Sequence, residues 1–99
     1  MTITEVTVKV NIMLSDGARL GAEAPNLSVA CKKIVRKLNL MQFTKFDKKR
    51  DYMDKTSERI FVIFGQEIIY NNAYEFLKEL ERIGYIKRME VSRHAKDII

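Results

Sequence analysis

Cysteine and histidine are nearly missing from this 99-residue sequence, which has one of each, Cys31 and His94. A single cysteine excludes an internal disulfide and fits a reducing compartment. The single histidine, far in sequence from any nucleophile elbow or activated thiol, leaves a Ser-His or Cys-His pair without its usual base. One Cys and one His without ligand spacing also exclude a zinc site. Glycine is scarce as well, with four in the chain. Gly17, Gly21, Gly65 and Gly84 fall at turn and cap positions, and none belongs to a GxGxxG or phosphate loop. No stretch approaches the roughly 18 apolar residues of a membrane span. The opening MTITEVTVKVNIML sets Glu5, Lys9 and several threonines among apolar positions, which is a strand pattern and not a signal peptide. These absences predict a soluble, cytoplasmic protein with no cofactor, no metal and no catalytic residues of its own.

What is present is ordinary globular sequence, 46% hydrophobic and 31% charged, which argues against wholesale disorder and for one domain over residues 1–99. The net charge is +5. Residues 1–31 hold Lys9 and Arg19 against Glu5, Asp16 and Glu23, so the surplus lies entirely in the later two thirds.

Val6, Val8, Val10, Ile12 and Leu14 alternate with Thr7, Lys9, Asn11 and Met13, predicting a strand over 4–14. SDG (15–17) marks a turn, and the Ala- and Gly-rich ARLGAEA could return as a weak second arm of a hairpin but is poor strand material and reads as a loop running to Pro25. Asn26 or Ser28 caps a helix with Leu27, Cys31, Ile34, Leu38 and Met41 on one face. Cys31 therefore reads as a small buried hydrophobe. Residues 44–58 show no clear period and read as a mobile loop, in which Asp47, Asp51 and Asp54 are neutralised by the interleaved cations.

RIFVIF (59–64) reads as a strand, Gly65 and Gln66 as a tight turn, and EIIYN (67–71) as its antiparallel return. Asn72 with Glu75 opens a second helix carrying Ala73, Phe76, Leu77, Leu80 and Ile83, which Gly84 ends. YIKRMEVSR (85–93) supplies a last strand. The order βαββαβ predicts an α+β, ferredoxin-like split βαβ: a four-stranded antiparallel sheet with two helices on one face. The alternative is a winged helix, in which LKELERIGYIKR (77–88) would end a recognition helix and enter a wing. RIFVIF lacks the glycines of the RNP1 strand of RRM-type RNA-binding domains, and EIIYN does not supply that pattern either.

Between Ala24 and Phe46 there is no acidic residue, yet Lys32, Lys33, Arg36, Lys37 and Lys45 are present. Like charges at i,i+3 and i,i+4 cost a helix a few tenths of a kcal/mol per pair. A face of this kind suits an anion. With Lys48, Lys49 and Arg50, and with Phe46 and Tyr52 for stacking, it predicts a nucleic-acid-binding or acidic-protein-binding surface on DNA, RNA or a protein partner. The second expectation is a regulatory protein-interaction module or inhibitor. Arg59, Phe61 and Ile63 on an exposed sheet edge or open sheet face would meet a partner or a second copy in a homodimer.

Overall fold

The computed structural model describes residues 3–41 and 48–98. Its strands are β1 (Ile3–Leu14), β2 (Arg19–Ala24) and β3 (Ile86–Ile98). Its helices are α1 (Leu27–Leu40), α2 (Lys49–Phe64) and α3 (Ala73–Arg82). The strands form one antiparallel sheet in the order β2-β1-β3. The class is α+β, but the predicted four-stranded split βαβ with two helices is overturned by a three-stranded sheet and three helices. The alternative fails too, because the strand after α3 pairs with β1 and opens no wing hairpin.

β1 alternates as its sequence does. Val8, Val10 and Ile12 are buried under the helices, while Lys9, Asn11 and Met13 point to the open side of the sheet. The turn after β1 is an Asx-type turn, in which the Ala18 amide donates to Asp16 Oδ1 at 2.9 Å and Gly17 takes a φ of 91°. It leads into β2, the segment expected to be a loop. Weak strand propensity is overridden here by packing: Ala22 and Ala24 are buried and small enough for α1 to lie close against β2. Gly21 leaves room for Asn11, whose Oδ1 would stand 2.6 Å from any added Cβ.

α1 starts at Asn26, whose side chain accepts from the Val29 amide at 2.9 Å. It buries Cys31, Ile34 and Leu38 as expected, together with Ala30 and Val35. α3 starts at Asn72, whose Oδ1 accepts from the Glu75 amide at 2.9 Å, and it buries Phe76, Leu77 and Leu80. α1 and α3 pack on each other and on the sheet, and α2 lies against α1. Phe76 joins the layers, with its ring edge-on to Tyr52 of α2 at 6.2 Å and to Tyr70 at 5.1 Å.

The largest departure is α2. Most of the expected mobile loop is helical from Lys49 onward, residues 44–47 of it lying outside the described residues, and the helix runs on through RIFVIF. The spacing of Tyr52, Thr56 and Ile60, all buried, is four by four, one helical face. Gly65 is a left-handed helix stop at φ 66°, with its amide on the Phe61 carbonyl at 3.0 Å. It is not the first residue of a hairpin. EIIYN forms no strand and joins no ladder. α3 holds it instead: Glu79 accepts from the Ile69 amide at 3.1 Å, and Arg82 donates to the Glu67 carbonyl at 3.1 Å.

β2 ends opposite Val8, so residues 3–7 pair with β3 alone. β3 itself continues to Ile98, beyond the expected stop at Arg93. Val6 is already 45% exposed, which puts the end of the helical layer between Val6 and Val8. The molecule is correspondingly long, 55 × 26 × 23 Å.

Candidate interaction surface

The four cations of α1 are all exposed, but they do not have one task. Lys33 Nζ donates to the Glu23 carbonyl at 2.9 Å, and Lys37 Nζ donates to the Gly21 carbonyl. Both carbonyls lie on the outer edge of β2, where no strand answers them. Half of the basic face therefore closes a sheet edge, a common way of blocking unwanted strand pairing. Lys32 and Arg36 have no partner among the described residues.

The predicted extension of that face is scattered. Lys48 is the exposed N-cap of α2 and makes no side-chain cap bond. Lys49 is the first residue of α2, and its side chain is not among those described. Arg50 is exposed and lines a recess with Met53, Asp54, Tyr70 and Asn71, on a different neighbour from the α1 lysines. Tyr52 is a correction: it is 3% exposed, packed on Phe76, and its hydroxyl is pushed up to about 12, chiefly by burial. It cannot stack on a base. Phe46 and Lys45 lie outside the described residues.

Arg59, Phe61 and Ile63 are exposed, but on a helix and not on a sheet edge. In a strand, alternation with Phe61 and Ile63 would set Val62 and Phe64 under the helices; in the helix they are exposed too. Phe61 is 59% exposed, Val62 81%, Ile63 64% and Phe64 58%. The core-facing stripe of α2 ends at Ile60, and the last turn projects past the body with apolar side chains all round. That amounts to surface on the order of 450 Å², within the range of the largest apolar patch on a typical monomer, which is often functional. A helical reading of Tyr52, Thr56 and Ile60 would have found Val62, since it falls on the opposite side of that wheel.

Val62 is a ridge between two shallow grooves. One is lined by Phe61 and Ile68, with Glu58 and Glu67 at its rim. The other is lined by Ile63, with Lys55, Arg59 and the same Glu58 at its rim. Lys55 and Glu58 meet across the ridge at 3.2 Å. With Lys55 and Glu58 paired, Glu67 is left on one flank of the turn and Arg59 on the other.

Elsewhere the titratable groups serve structure. Burial pushes the Cys31 thiol up to about 11. Tyr70 is raised by burial and by its hydrogen bond to Asp54 Oδ1 at 2.5 Å. Among the described residues no three His, Cys, Asp or Glu side chains gather as metal ligands, and no helix is long and apolar enough to cross a membrane. Compared with protein families, curated proteins and solved structures, the chain matches none.

Proposed function

We propose that this chain is a non-catalytic protein-interaction module, of regulatory use, that docks through the projecting end of α2. The observation that carries the reading is the exposure of Phe61, Val62, Ile63 and Phe64 together, each more than half open to solvent. Apolar side chains around a whole helical turn contribute nothing to the chain's own core, and water contact at that turn is unfavourable by the ordinary hydrophobic term. A partner that covers the turn recovers that free energy. The buried, free thiol of Cys31 supports a cytoplasmic setting.

The test is a photo-reactive side chain at Val62 in the full chain, expressed in cells. A discrete adduct, lost when Phe61→Asp and Ile63→Asp are added, is the expected result. Equal labelling of bulk protein with and without those changes would sink the reading.

A second reading keeps the basic helix as a nucleic-acid face, supported by Lys32 and Arg36 having no carboxylate partner among the described residues. Its site would be Lys32 and Arg36 with Lys33, Lys37 and the nearer of Lys48, Lys49 and Arg50. Labelled DNA and RNA binding at low and physiological salt tests it. Affinity that falls steeply with salt and is lost in Lys32→Glu/Arg36→Glu supports it, and absence of binding at low salt removes it.

A further inference from the structure

The partner that best fits the end of α2 is a second copy of the same chain. This inference rests on the docking reading above and goes further by naming the occupant. We infer that two chains associate through their α2 ends about a two-fold axis that runs along the projecting helices.

The first argument is charge. Glu58 lines both grooves beside Val62 and is paired with Lys55 at 3.2 Å, which leaves Glu67 as the acid of one flank and Arg59 as the base of the other. A two-fold axis parallel to the helix ends exchanges left and right flanks, so the acidic flank of one copy meets the basic flank of the other. It does so twice, because such an interface is isologous. An arrangement with the two helices antiparallel would instead set like flanks together. The patch is thus self-complementary in one orientation, a property that an arbitrary partner would not require.

The second argument is area. Phe61, Val62 and Ile63 offer on the order of 350 Å² to this axis, Phe64 lying on the far side of the helix, and Ile68 with the flanking side chains brings each copy toward the ~800 Å² per partner typical of a stable interface. The ridge of Val62 from one copy can seat in the groove between Phe61 and Ile68 of the other, leaving an apolar centre and a charged rim.

Sedimentation equilibrium of the full chain from low to high micromolar concentration provides the test. A concentration-dependent dimer is expected, and Val62→Asp should be monomeric while keeping its far-ultraviolet spectrum and the unfolding midpoint that the wild type shows at concentrations where it is monomeric, since Val62 is 81% exposed and dimerisation adds to apparent stability. Arg59→Glu and Glu67→Lys should each weaken the dimer by about tenfold or more, because symmetry applies each change twice, and the double variant should recover it. A dimer indifferent to Val62→Asp, or a double variant weaker than either single change, overturns the inference. So does a monomeric wild type. In that case a soluble paramagnetic agent separates the two readings. Open methyls at Val62 and Ile63 leave docking to another protein standing, whereas shielded methyls in a monomer mean that the chain covers its own α2 end, and both readings fall.

Discussion

Lys33 Nζ lies 2.9 Å from the carbonyl oxygen of Glu23, and one helical turn on Lys37 meets the carbonyl of Gly21. Two ammonium groups on one helix stand where a fourth strand would otherwise bind. Replacing both by alanine should lower stability by about 1–3 kcal/mol, the range for two solvent-accessible hydrogen bonds. It should also raise the rate of thioflavin-positive aggregation, because the β2 edge is left bare. Lys32→Ala/Arg36→Ala should change stability by less than about 0.5 kcal/mol. Denaturant unfolding of the two double variants, side by side, checks the division of labour within α1.

On the opposite edge α3 does the same with the opposite charge. Glu81 Oε2 accepts from the Met89 amide of β3 at 2.8 Å, and its other oxygen takes Lys78 at 2.7 Å. Glu81→Ala should cost about 1–2 kcal/mol, and exchange of the Met89 amide should quicken more than that of its strand neighbours. Hydrogen exchange followed by NMR reads this directly.

Glu79 and Glu81 both have carboxyls held below the ordinary range. For Glu79 the main cause is the hydrogen bond from Arg82, followed by the Ile69 amide. For Glu81 it is the hydrogen bond from Lys78, with the Met89 amide adding to it. A carboxyl depressed in the folded state contributes stability that is complete above its unfolded pKa of about 4.3. That contribution is lost as pH falls through the folded value. Stability should therefore be level from neutral pH to about pH 5 and then decline, with a shallower decline in Glu79→Gln/Glu81→Gln. Denaturation midpoints measured at a series of pH values test this.

Phe76 is fully buried at the junction of α2, α3 and the 65–70 segment. Phe76→Leu should cost about 1–3 kcal/mol and Phe76→Ala about 3–5 kcal/mol. Tyr70→Phe, which keeps the ring contact and removes only the bond to Asp54, should cost about 1 kcal/mol. Thermal and chemical unfolding of the three variants separates packing from the hydroxyl.

Cys31 is buried in α1 with its thiol pushed up to about 11. At neutral pH a thiol reagent should label it only as fast as the core opens. Labelling should accelerate in the Phe76→Ala background. Rapid labelling of the folded wild type would contradict the placement of α1.

The parts of this fold legible in the sequence are those whose signals are local. The period-two run of Val8, Val10 and Ile12 gave β1, and Asn26 and Asn72 located the starts of α1 and α3 because a cap needs only its own next three residues. β2 was illegible for the opposite reason. Its alanines and Gly21 suit the approach of α1 and the Asn11 side chain, which are distant in sequence. In α2 a helix is recognised by its polar face, and at residues 61–64 that face is itself apolar. An apolar run without a polar face therefore read as a strand. The exposure of Phe61 and Ile63 was expected from the alternation of a strand that does not form; that of Val62 and Phe64 required the helical period. The charges of α1 were plain, but their attachment to edge carbonyls depended on β2, which had not been found.

β1 and β3 are the first and last elements in chain order, and they share the longest ladder of the sheet. That ladder encloses all three described helices in a single chain loop. Its closure entropy must be met before any of its pairs is rewarded, so the ladder should form behind the nearer contacts of β1 with β2. A chain interrupted before β3 would have only the β1 and β2 hairpin as its sheet, and a hairpin alone is marginal in water. Such a fold is acquired late and as a unit, with its final strand acting as the latch.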